Sequence, residues 1–129
     1  MLLTLAEIRQ RYGTHTARRQ FLWQRLQTIV QLLAATGALR RLYLFGSFVT
    51  EKPNPGDLDC LAVMASGFTT AHLTPALMTV FQHDVCRLYY QADVFWITEA
   101  VGQEHLEALL AVFARDRSGN PQPLVEVAL

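Results

Sequence analysis

Apolar positions along the chain change period several times, and each change marks an element. In "THTARRQFLWQRLQTIVQLLAATG", Phe21, Leu22, Leu26, Ile29, Val30, Leu32 and Leu33 recur at helical spacing. This predicts a helix over roughly residues 15 to 36, with Gly37 suited to its end. Upstream, "TLAE" at Thr4 to Glu7 has the form of a capping box and opens a shorter helix. "RRLYLFGS" reads as a short buried strand over residues 41 to 46. "TEKPNPG" is a loop, because Pro53, Pro55 and Gly56 break both regular structures. "DLDCLAVM" is apolar on both faces after its first turn, which predicts a central strand.

"SGFTTAHLTPALMTVFQHD" reads as loop and helix, with Pro75 near the helix start. "CRLYYQADVFWIT" contains a third strand from Ala92 to Thr98. "EAVGQEHLEALLAVFARD" is a helix with Val101, Leu106, Leu109, Leu110 and Phe113 inward. "RSGNPQP" is a turn, and "LVEVAL" adds a final edge strand. The first two strands follow one another without a helix, so the sheet is mixed rather than all-parallel. The fold class is α/β (α+β): a single domain with a mixed sheet flanked by helices.

Composition changes this picture little. At 129 residues, 51% of them apolar, the chain builds one core. Formal net charge is zero, which argues against general coating of nucleic acid. The charge is uneven, however. Eight basic residues stand against two acidic through Lys52, and three against nine beyond it. Arg18, Arg19 and Arg25 lie in the long helix, either as a solvated face or as a surface for an acidic partner. Cys60 and Cys86 are far apart with no CxxC pattern, so neither a zinc site nor a disulfide framework is indicated. No basic leader with a long apolar core opens the chain, and no apolar run spans a bilayer. The expectation is a cytoplasmic domain with no membrane partner.

The chemistry is concentrated in "LYLFGSFVTEKPNPGDLDCLAV". Asp57 and Asp59 are two apart on a strand and project from one face. Asp59 lies between Leu58, Cys60 and Leu61, where an unpartnered charge would cost several kcal/mol. A divalent cation would offset that cost, and Mg²⁺ takes carboxylate and phosphate oxygens. Asp93 opens the third strand. If the two strands are neighbours, it falls ~4.8 Å from the pair. Three such carboxylates can hold two metals, which stabilise both oxygens of an in-line phosphoryl displacement. Gly46 lets the backbone approach a phosphate, and Ser47 can donate to it.

Gly46-Ser47, nine residues from Phe48 to Gly56, then Asp57-Leu58-Asp59 resembles the signature of the DNA polymerase beta-like nucleotidyltransferase superfamily. A chance match in a chain this long is on the order of one in a thousand. The resemblance covers roughly residues 38 to 98, and in size the chain is similar to the minimal nucleotidyltransferases of bacteria. "GSFVTEKPNPGDLD" and "DRSGNP" also look like a family of short bacterial proteins with this fold and no assigned function.

The resemblance implies a nucleotidyltransferase-like sheet, Mg²⁺ and a nucleoside triphosphate such as ATP. Asp57 and Asp59 would be metal ligands, Asp93 the third ligand and the base, and Gly46 and Ser47 the phosphate binders. It also implies the paired, toxin–antitoxin kind of minimal enzyme. The chain has no room for the helical domain that completes larger members. The acceptor would then be a small protein partner or a nucleic acid, or a homodimer would complete the site. The alternatives are a nucleotide- or partner-binding module without turnover and a dimeric small-molecule nucleotidyltransferase. Arg40, Arg41 and Lys52 flank the motif in sequence as phosphate contacts or solvated surface.

Overall fold

The computed structural model describes residues 1–129. Its elements, in chain order, are β1 (Leu2–Leu3), α1 (Leu5–Tyr12), α2 (Ala17–Ala35), β2 (Leu39–Phe45), β3 (Leu58–Met64), α3 (Pro75–Phe81), α4 (His83–Tyr90), β4 (Ala92–Thr98), α5 (Gln103–Phe113) and β5 (Val125–Val127). Single 3-10 turns at Ser47–Val49 and Glu99–Val101 follow β2 and β4. One mixed sheet runs in the order β1-β5-β2-β3-β4. β2 is antiparallel to β3, and β3 is parallel to β4.

Alternation along β2 and β3 divides the interior in two. Leu42, Leu44, Leu58, Cys60, Ala62 and Met64 face α1 to α4 and form the larger core with Ile8, Leu22, Leu26, Ile29, Leu33, Val80 and Cys86. Tyr43, Phe45, Leu61 and Val63 face the other way and are covered by Leu106 of α5. Burial pushes both cysteine thiols up, to about 11 for Cys86, consistent with inert core residues.

Most predicted elements form. Thr4 and Glu7 make the reciprocal capping box, and Gly37 leaves α2 with φ +72°. Four differences are instructive. β2 stops at Phe45, because Gly46 turns to φ +77°. β4 spans the predicted Ala92–Thr98, and the "CRLYY" before it lies in α4. Extended Gln82 breaks the helix between α3 and α4. An unbroken helix would set Val80 and Cys86, six residues apart, about 120° apart around its axis. The break lets both reach the core.

Val101 is not inward: it lies in the turn before α5, which starts only after Gly102 at φ +86°. Finally, β5 is not an edge. It sits between β1 and β2, and the two-residue β1 forms the edge instead. No helix is long and apolar enough to cross a membrane.

Candidate active site

The parallel register of β3 and β4 pairs Asp59 with Asp93, so the two carboxylates stand side by side on one face of the sheet. The antiparallel register of β2 and β3 pairs Asp59 with Phe45. Gly46 therefore lies directly over the Asp59 carboxylate. A Cβ built on Gly46 would meet Asp59 Oδ2 at 2.3 Å, so only glycine allows this approach. Ser47 begins the 3-10 turn beside it, half-exposed. Asp57 precedes β3 and joins the group through Arg87. Arg87 Nη1 donates to both Asp93 oxygens at 2.7 Å, and Nη2 lies 3.5 Å from Asp57 Oδ2. All five residues singled out in the sequence thus lie at one end of the sheet.

Burial, then the charges of Asp93 and Asp57, push the Asp59 carboxyl up to about 7. In an unfolded chain its ordinary value is 3.8. The folded state therefore holds this proton more tightly. The resulting stability is fully present below pH 3.8 and is lost as pH rises through about 7. Asp59→Asn removes the charge at all pH values. In chelator, the mutant and wild type should be equally stable near pH 4, with the mutant the more stable at pH 8. Because the carboxylate keeps some contact with solvent, the gap is on the order of 2 kcal/mol. Urea melts at the two pH values check this; a gap that is the same at both would remove Asp59 as the strained group.

The donor set fits a hard divalent cation: carboxylate oxygens only, one of them desolvated, with a glycine backbone against it. Asp57, Asp59 and Asp93 would hold it. With the guanidinium between them, the three do not close into a ready-made three-ligand cluster.

The connector from Ser47 to Gly56 is held from behind by the start of α2. Arg19 is buried, 3% exposed, and donates to the carbonyls of Tyr12, Phe48, Thr50 and Lys52. Arg18 Nε donates to Pro55 O at 3.0 Å, its Nη2 to Gly56 O and its Nη1 to Gln91 Oε1 at 2.9 Å. Arg18 thus ties the residue before Asp57 to the start of β4. Arg25 lies over the Phe21 ring at 4.7 Å. Arg18 and Arg19 are thus engaged within the chain rather than forming a solvated face. These two arginines are scaffold for the site, and Arg25 covers its own helix.

Arg40 and Arg41 are paired with Glu99 and Glu126, and Lys52 is exposed on the connector; none touches the carboxylates. The cation that does is Arg87, which sequence reasoning missed, together with His83, whose Nε2 lies 3.5 Å from Asp93 Oδ1. A signal existed: Arg87 is the one Lys or Arg between Lys52 and Arg115, in the acidic half of the chain.

A cavity of ≈ 930 Å³ lies elsewhere, between α1, α2 and the outer side of the connector, lined by Arg11, Tyr12, His15 and Glu51 among others. It contains none of Asp57, Asp59 and Asp93. Convergence of charge, rather than volume, locates the chemistry.

No curated protein and no solved structure matches the chain. A family model described as a family of unknown function (DUF6932) matches residues 1–128, and the chain belongs to that family.

Proposed function

We propose that this protein is a Mg²⁺-dependent nucleotidyltransferase that moves a nucleoside monophosphate from a triphosphate, ATP in the first instance, to a hydroxyl on a small protein partner. The observation that carries this reading is the seating of Gly46 against Asp59, itself side by side with Asp93. The sequence spacing that resembles the superfamily signature thus becomes one end of one sheet.

In the reaction, the acceptor oxygen bonds to the α-phosphorus. The bond from that phosphorus to the oxygen bridging it to the β-phosphorus breaks, and pyrophosphate leaves. The hydroxyl proton passes to a carboxylate, assigned here to Asp93. The backbone at Gly46 and the hydroxyl of Ser47 bind the phosphates, and Asp57 and Asp59 would hold the ion. Mg²⁺, when bound, supplies the positive charge that this chain's carboxylates gather.

Beyond Asp93 on the same face, Phe95 is 39% exposed and lies against Phe113 and Phe45, at centroid distances of 5.4 and 6.2 Å. This aromatic ledge suits stacking of a nucleobase. Stacking accepts any base, so base selectivity should be weak. Orientation of the acceptor accounts for much of the catalytic effect. A protein acceptor brings its own wall with its own Tyr, Ser or Thr hydroxyl.

The test uses ATP labelled at the α-phosphorus, Mg²⁺, this protein and its co-purifying or neighbouring partner, with the mass of each chain as readout. A nucleotide mass added to the partner, and absent with Asp57→Asn or Asp59→Asn, is the expected result. Labelling of an RNA end or a small alcohol alone would overturn the protein acceptor. Triphosphate binding with no transfer to any of these would leave the binding-module reading in its place. Mg²⁺ with a triphosphate should also raise the melting temperature of the wild type but not of either mutant.

A further inference from the structure

Arg87 occupies the position where a ligand of the carboxylates would sit. Its guanidinium spans Asp93 and Asp57, the two outer members of the cluster. Three carboxyl groups share this one guanidinium, with the His83 imidazole beside Asp93 as their other basic neighbour. The hold is also weak: the Arg87 side chain is half-exposed, and such pairs contribute little net stability. The residue stands on α4, a rigid element whose Cys86 is anchored in the core, so the side chain can move without the backbone. A planar fork that fits a carboxylate also fits a phosphate.

We propose that Arg87 is a triphosphate-binding residue that, until substrate arrives, serves as an internal counter-ion for the metal-binding carboxylates. This rests on the nucleotidyltransferase reading. The guanidinium leaves Asp57 and Asp93 when a metal–triphosphate complex enters, and it pairs with phosphate oxygens instead. Free metal has to displace Arg87 and leaves it unpaired. Metal arriving with triphosphate offers the guanidinium a new partner. Metal and nucleotide therefore bind cooperatively, and the coupling passes through this one side chain.

The experiment measures Mn²⁺ binding by electron paramagnetic resonance, and binding of a non-hydrolysable ATP analogue at saturating Mn²⁺ by calorimetry. Wild type, Arg87→Ala, Arg87→Lys and Asp59→Asn are compared, each checked for folding by circular dichroism. Without nucleotide, Arg87→Ala should bind Mn²⁺ about tenfold tighter than wild type, and with Mn²⁺ present it should bind the analogue about tenfold weaker. Arg87→Lys, which keeps charge but loses the fork, should lie between.

Unchanged or weaker Mn²⁺ binding by Arg87→Ala would overturn the counter-ion role. Unchanged analogue binding would overturn the phosphate role. In either case, Mn²⁺-dependent analogue binding that is lost in Asp59→Asn leaves the nucleotidyltransferase reading standing. A wild type that binds neither Mn²⁺ nor the analogue overturns that reading and this inference together.

Discussion

Gly46→Ala is expected to destabilise the protein by about 2–4 kcal/mol and to abolish metal-dependent triphosphate binding. Two costs combine. At φ +77° and ψ −164°, Gly46 occupies a backbone region reserved for glycine, where any side chain costs roughly 1–3 kcal/mol. The new methyl would also lie 2.3 Å from Asp59 Oδ2 and 3.1 Å from Asp59 Cγ, and because that carboxylate is the far end of a flexible side chain, the shift costs roughly 1 kcal/mol. For a domain of this size the melting temperature should fall by roughly 8–15 °C. Repeating the substitution in an Asp59→Ala background separates the terms, because it removes the clash and keeps the backbone cost. Urea melts of the four proteins provide the measurement. A Gly46→Ala protein within about 0.5 kcal/mol of wild type would mean that the turn and Asp59 are not in contact.

Arg19→Met should cost still more, about 3–5 kcal/mol, because it strips the shared donor from four carbonyls at once. Burial, with 3% of the residue exposed, holds the Arg19 guanidinium below its ordinary pKa. Methionine fills much of the volume, so the loss reports hydrogen bonding rather than a cavity. Arg19→Lys keeps the charge but offers three N–H groups from a single atom to carbonyls arranged around a planar fork. It should recover only part of the stability. Limited proteolysis supplies an independent readout, with cleavage rising within residues 47 to 56 while β3 and β4 stay protected. A loss below about 1 kcal/mol would show that the connector keeps its shape without Arg19.

These two residues also show what a sequence reveals and what it hides. The strands of the site were legible, because β3 and β4 are apolar runs with carboxylates at their first turns. The Gly-Ser to Asp-x-Asp spacing was legible too, because both parts act locally. Arg19 read as surface because its partners are backbone carbonyls, which leave no trace in residue identity. Arg87 was hidden by α4, whose "CRLYY" is as apolar as a strand and too short to show a helical period. β1, at two residues, has no period at all. The interior place of β5 follows from its pairing with β1, on which the two-residue run could not be read.

That placement of β5 also sets an order of assembly. β1 pairs with nothing but β5, and Glu126 N–H and Ala128 N–H donate to the carbonyls of Met1 and Leu3, each at 2.8 Å. The outer side of β2 is filled by the same strand. On the ribosome, then, β1 waits for β5. Until residue 127 has emerged, β2 presents one open edge, the state in which strands of separate chains pair with one another. Closing so long a loop is slow relative to local folding, so the arrival of β5 governs how long a nascent chain stays adhesive.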